Sequence, residues 1–177
     1  MKLAEIYRKF AAPDGGGDKG TAHSYIEIYE SEMTKTEGIS LLEIGVWQGH
    51  SIKMWQEYFS NSEIIGVDIT KKHLLFSVPV LLADATEPIQ ELEGMTFDYI
   101  IDDGSHLLHD QINAFNQLWD KVKEGGKYFI EDIIGDAEMQ EIQQVLSSRG
   151  IAHKTYDNRQ IKGRSDDILI VATKAVS

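Results

Sequence analysis

From residue 40 onward the chain alternates short apolar runs with stretches of helical spacing, and few folds accept that alternation. Leu41-Leu42-Glu43-Ile44 is an apolar run that ends at Gly45, and Ile52, Trp55 and Tyr58 then recur at helical spacing. Glu63–Asp68, Val78–Ala83 and Phe97–Ile101 read as further strands, with Pro79 near the start of its run, where proline is tolerated. A helix follows, with Leu108, Ile112, Phe115, Leu118, Trp119 and Val122 on one face and Gly125-Gly126 as its stop. Lys127–Ile130 reads as the fifth strand and residues 136–148 as a helix through Met139, Ile142 and Val145. Ile151–Tyr156 and Asp167–Ala172 are two last strands, joined by the polar loop Asp157–Ser165.

Strands separated by helices imply a mostly parallel sheet covered on both faces. The last two strands have no helix between them and should pair as an antiparallel hairpin at one edge. The expected class is therefore α/β, a Rossmann-like doubly wound sheet of seven strands. No repeat or linker divides the chain, so residues 1–177 read as one domain, with an N-terminal segment 1–38 and a core 39–177. In that segment Leu3, Ile6, Tyr7 and Phe10 have helical spacing, residues 13–20 form a glycine-rich loop, and Tyr25, Ile26, Ile28 and Tyr29 suit a second short helix.

Composition narrows the function. The chain has 17 basic against 29 acidic residues and a net charge of -12, which repels nucleic acid and anionic membranes. It has no cysteine, which excludes a thiolate zinc site and a cysteine nucleophile. No apolar run approaches the roughly 20 residues of a membrane helix. The charged start MKLAEIYRKF lacks the apolar stretch of a signal peptide, so a cytoplasmic protein is expected.

In doubly wound sheets ligands sit at the carboxyl ends of the strands. The first strand runs into Glu43-x-Gly45-x-x-x-Gly49, then His50 and Ser51. The two glycines let the backbone turn tightly beside a ligand, facing it with a helix N-terminus. The spacing differs from the dinucleotide fingerprint, and an acidic residue before the turn favours a cation over a phosphate. Asp68, ending the second strand, suits the two hydroxyls of a ribose. Asp84, after the third, can accept an adenine amino group or cap a helix starting near Glu87. The fourth strand ends Ile101-Asp102-Asp103-Gly104-Ser105-His106 and the fifth Ile130-Glu131-Asp132. Neighbouring strand ends would crowd these carboxylates, which repel one another unless a cation lies between them. Oxygen ligands suit magnesium or calcium; alternatively Asp102 and Glu131 point to solvent or cap helices. His106 beside that rim is a candidate general base, with His50 and His109 behind it. His23, His73 and His153 read as ordinary.

Four stretches together resemble a known family: Gly17-Asp18-Lys19-Gly20-Thr21 with His23 and Tyr25; Leu42-Glu43-Ile44-Gly45-Val46; Ile101-Asp102-Asp103-Gly104-Ser105-His106; and Gly125-Gly126 with Ile130-Glu131-Asp132. They are similar to the class I S-adenosylmethionine-dependent methyltransferases, and within these to the metal-dependent sugar O-methyltransferases of the mycinamicin, rhamnosyl and macrocin type. The resemblance implies an O-methyltransferase that uses S-adenosylmethionine and a divalent metal, usually magnesium, on a sugar-containing acceptor. It implies Asp103, Glu131 and Asp132 as metal ligands, with Asp103 and His106 catalytic and His106 the base. Glu43, Gly45, Gly49, Ser51, Asp68, Asp84 and Asp102 would line the cofactor. Lys19 would either pair with the cofactor's carboxylate or stay solvated. An accessory S-adenosylmethionine-binding protein, or an enzyme that cleaves the cofactor, is the alternative on the same fold. The sugar-modifying relatives are longer, with further N-terminal or lid segments. Part of the acceptor site is therefore expected from a neighbouring subunit of a homo-oligomer.

Overall fold

The computed structural model describes residues 1–11 and 17–176. Positions 13–16 of the glycine-rich loop lie outside the described residues. The N-terminal segment holds α1 (Leu3–Phe10) and α2 (Ile26–Glu32). The core runs β1 (Ser40–Ile44), α3 (His50–Tyr58), β2 (Glu63–Asp68), β3 (Val80–Leu82), β4 (Phe97–Asp102), α4 (Leu108–Leu118) and β5 (Val122–Ile130). It ends with α5 (Gly135–Ser148), β6 (Ala152–Asp157), α6 (Arg159–Lys162) and β7 (Ile168–Thr173).

The seven strands form one sheet in the order β3-β2-β1-β4-β5-β7-β6. Strands β1 to β5 pair in parallel, and β7 runs antiparallel to both β5 and β6. The chain moves outward from β1 to β3, then returns to lay β4 on the other side of β1. The crevice between the ends of β1 and β4 is thus the topological switch point where such folds bind ligands. The strands are apolar on both faces because both are covered. Leu41, Ile101 and Phe129 pack with α1, α2 and α3, whereas Leu42, Ile100 and Tyr128 pack with α4 and α5. Among the described residues no helix is long and apolar enough to cross a membrane.

Several boundaries differ from expectation. Val122 starts β5 rather than ending the preceding helix, which stops at Leu118 and closes with a turn of 3-10 helix, Trp119–Lys121. Gly125-Gly126 therefore lies inside β5, where the β4–β5 register shifts, and a Cβ on Gly126 would stand 2.7 Å from the Asp98 carbonyl oxygen. Glycine here permits a bulge rather than stopping a helix. The third strand is only Val80–Leu82, because Pro79 has no N–H to give the ladder. No α-helix starts near Glu87, since Pro88 disfavours helical backbone before it. The loop between the last two strands carries the single turn α6.

One buried ion cluster fastens α2 to the far end of the sheet. Glu32, 4% exposed, accepts hydrogen bonds from Lys127, Lys154 and Tyr156. Burial opposes ionisation of Glu32, but these hydrogen bonds outweigh it and hold its carboxyl down to about 2. A depressed carboxylate stabilises the fold above its unfolded pKa of roughly 4.3 and loses that contribution as the pH falls towards the folded value. Wild-type protein is expected to exceed Glu32→Gln in stability by about 2–3 kcal/mol at neutral pH. The gap should close between about pH 4.5 and 2. Urea denaturation of both proteins across that range checks this, and a gap independent of pH would rule out the ionised carboxylate as its source.

Candidate active site

At the switch point the walls enclose a cavity of about 570 Å³. Its first wall is the turn after β1. Gly45 has φ +80°, and a Cβ there would lie 1.8 Å from the carbonyl oxygen of Asp103, so only glycine lets the ends of β1 and β4 approach this closely. Trp47 follows at φ +49°, a conformation uncommon for a side chain of this size. Asp68 braces the turn from the end of β2: its Oδ2 accepts the N–H of Val46 (2.9 Å) and of Trp47 (3.1 Å), and its Oδ1 accepts the N–H of Thr70 (2.9 Å). Asp68 lines the cavity with Gly45, Ser51, Asp84 and Asp102.

Two expected cofactor residues sit behind that wall. Glu43 is fully buried and takes the Ser51 hydroxyl at 2.7 Å; Gly49 caps α3 with φ +88°. They shape the pocket from beneath. Asp84 caps no helix. Its Oδ1 closes a turn onto the Thr86 N–H (2.9 Å) and hydroxyl (2.7 Å), which lower its carboxyl pKa. At the mouth Trp47 and His73 stack with ring centroids 4.1 Å apart. Nothing local marks His73 as part of the cavity wall.

The rim beyond β4 and β5 is strongly acidic. Asp102 and Glu131 point to neither solvent nor a helix cap; they are 2% and 1% exposed. Burial pushes the Asp102 carboxyl up to about 7, against hydrogen bonds from the Gly104 N–H and the Tyr128 hydroxyl. Burial, then the charge of Asp103, raises Asp132 as well. Asp103, His106 and Asp132 converge, with potential ligand atoms all within 4.8 Å of one another. His106 and Asp132 both adopt left-handed backbone, at φ +58° and +56°. Such strain costs on the order of 1–3 kcal/mol and gathers at functional sites. His106 Nε2 stands 3.6 Å from Asp132 Oδ2.

The rim already contains one cation. Lys19, 2% exposed, donates to Asp103 Oδ2 and Glu131 Oε1, each at 2.6 Å, and lies 3.3 Å from Glu43 Oε1. This corrects the solvated alternative for Lys19: it is buried, and its ammonium meets three carboxylates of the protein. Burial alone would lower its pKa, but Asp103, Glu131 and Glu43 reverse that and hold it well above the ordinary lysine value. Glu131 also accepts the Tyr29 hydroxyl through the same Oε1. It was expected to share a metal with Asp103 and Asp132, but it stands outside the convergent group, in which His106 takes its place.

His23 reads as ordinary in sequence but is buried beside Asp132, 3.2 Å from its Oδ1 through Nδ1. Its Nε2 faces Asp18 at 3.8 Å. Asp18, His23 and Asp132 thus form a second group whose potential ligand atoms lie within 4.8 Å of one another, sharing Asp132 with the first. Tyr25 donates to Asp132 Oδ1 at 2.9 Å. His50 lines the cavity, whereas His109 is exposed and paired with Asp110 at 3.0 Å.

No family model matches the chain. Among curated proteins it is 32% identical over 133 residues to the 8-demethyl-8-alpha-L-rhamnosyl tetracenomycin-C 2'-O-methyltransferase of Streptomyces olivaceus, covering 67% of this chain and 35% of that one. It is 32% identical over 147 residues to the mycinamicin VI 2''-O-methyltransferase of Micromonospora griseorubida, covering 74% of this chain and 36% of that one. The chain is related to the sugar O-methyltransferases. Demethylmacrocin O-methyltransferase of Streptomyces fradiae matches at 31% over 146 residues, 74% of this chain and 36% of that one. The chain thus spans about a third of the length of the curated relatives it matches. Among solved structures, the methyltransferase MycE of mycinamycin biosynthesis, in complex with Mg and SAH, superposes with a TM-score of 0.75 at 23% identity, covering 99% of this chain and 55% of that one. An rRNA-methylase-like protein of Clostridium thermocellum shares the fold at a TM-score of 0.63 and 15% identity, over 89% of this chain and 96% of that one. The chain therefore shares the fold of these methyltransferases.

Proposed function

We propose that this chain is the S-adenosylmethionine-binding domain of a magnesium-dependent O-methyltransferase that acts on a sugar hydroxyl. One observation carries the reading: Asp103, His106 and Asp132 converge beside a cavity built at the switch point of a methyltransferase fold. The named activities and the Mg and SAH of the relatives support it. Gly45, Asp68, Asp84 and Asp102 would hold the cofactor, with Glu43, Gly49 and Ser51 supporting that wall.

The residues fit a divalent ion. Asp103 and Glu131 each receive Lys19 on one oxygen and no hydrogen bond from a described residue on the other. Oxygen donors with at most one imidazole suit magnesium. When bound, S-adenosylmethionine supplies an activated methyl group and magnesium lowers the pKa of an acceptor hydroxyl. The protein's own part is then to orient the acceptor and remove its proton. His106 faces the cavity and can take that proton at Nε2, where Asp132 Oδ2 holds the resulting imidazolium.

Labelled S-adenosylmethionine offered with glycosides and free sugars is the test. The expected product carries one added methyl on oxygen, forms with magnesium and fails with excess chelator. Cofactor breakdown without an acceptor product would instead identify a cofactor-cleaving enzyme.

A further inference from the structure

We propose that Lys19 is a built-in counter-ion that orients Asp103 and Glu131 to receive a divalent cation, and is not a ligand of the cofactor. The inference rests on the metal-dependent reading above. Burying an ammonium costs several kcal/mol unless it is well paired. Here the pairing is threefold, to carboxylates following or within three adjacent strands: Glu43 in β1, Asp103 after β4 and Glu131 after β5. The ammonium is held in place by its own segment. The Lys19 carbonyl accepts the Tyr25 N–H at 2.9 Å, and the Asp18 carbonyl accepts the His23 N–H at 2.9 Å.

The choice of atoms matters more than the charge. Lys19 occupies Asp103 Oδ2 and Glu131 Oε1, and Tyr29 adds a second donor to that same Glu131 oxygen. Each carboxylate is thereby fixed through one oxygen while its other oxygen receives no hydrogen bond from a described residue. Outer partners of this kind fix the rotamers of metal-binding carboxylates.

The experiment is calorimetry with magnesium chloride alone and S-adenosylhomocysteine alone, on the full chain and on Lys19→Met, Lys19→Arg and Tyr29→Phe. Lys19→Met is expected to weaken magnesium by about 10–100-fold, the usual worth of an outer partner, while S-adenosylhomocysteine affinity without magnesium stays unchanged. Tyr29→Phe should weaken magnesium by less, and Lys19→Arg, which keeps the charge, should retain more affinity than Lys19→Met. Unchanged or tighter magnesium binding by Lys19→Met overturns the proposal. So does weaker S-adenosylhomocysteine binding with magnesium affinity intact, which would return Lys19 to the cofactor. If Lys19→Met does not fold, Tyr29→Phe decides, and unaltered magnesium affinity there overturns the proposal. A wild-type chain that binds no magnesium overturns the metal-dependent reading as well, whereas normal wild-type binding with an indifferent Lys19→Met overturns this inference alone.

Discussion

Replacing His106 by alanine is expected to lower methyl transfer by about 10²–10⁴-fold, the contribution of a general base, with magnesium affinity unchanged. The ring has a fixed place. Its residue sits at φ +58°, and the loop around it is stapled by the Ser105 hydroxyl, which donates to Asp110 Oδ2 at 2.5 Å and accepts the Leu107 N–H at 3.3 Å. The ring Nε2 stands 3.6 Å from Asp132 Oδ2, and the residue lines the cavity. His109 is no substitute, because its side chain is 73% exposed and its Nε2 is engaged by Asp110. The assay is methyl transfer at saturating cofactor and magnesium, with calorimetry of magnesium on the same variant. Loss of turnover together with loss of magnesium affinity would make His106 a metal ligand, as its convergence with Asp103 and Asp132 allows. Full turnover would move the proton acceptor to a carboxylate, of which Asp132 is the nearest.

The contrast between His106 and His23 shows what the sequence exposes. His106 follows a strand end within a dense acidic motif, so its surroundings are legible within six residues. The contacts of His23 with Asp132, and of Lys19 with Asp103 and Glu131, join positions far apart in the chain. Lys19 meets Asp103 and Glu131 across 84 and 112 residues, and no local spacing encodes such pairs. Crowded carboxylates do signal that a cation is required, and that demand was readable; that a lysine meets part of it was not. The same limit explains β5. Val122 continues the helical spacing from Leu118, and only pairing with Phe97 across the shifted register makes it a strand residue. The mostly parallel sheet with its terminal antiparallel hairpin, by contrast, follows from the alternation, because parallel neighbours need a crossover between them and antiparallel ones do not.

Gly45→Ala is expected to be the most damaging small substitution in the cofactor wall, costing about 2–5 kcal/mol of stability. Two separate penalties add. Left-handed backbone costs a residue with a Cβ roughly 1–2 kcal/mol. Forcing an extra methyl into packed surroundings costs roughly 1–3 kcal/mol more. The atom in the way is the Asp103 carbonyl oxygen, 1.8 Å from the ideal Cβ, and backbone cannot swing aside as a flexible side chain can. Relief requires the ends of β1 and β4 to part, which would spread the rim that carries Asp103 and distort the turn that Asp68 braces. A chain of this size should then melt roughly 5–15 °C lower, at about 2–4 °C per kcal/mol. Gly38→Ala is the matched control: its φ is +62°, yet nothing lies within 4 Å of the added carbon. It incurs the backbone penalty without the clash, so the difference between the two melting temperatures measures the close approach of the strand ends. S-adenosylhomocysteine affinity should fall in Gly45→Ala and hold in Gly38→Ala. Equal melting temperatures for the two variants would mean that β1 and β4 do not meet at this distance, and the geometry assigned to the cofactor wall would have to be redrawn.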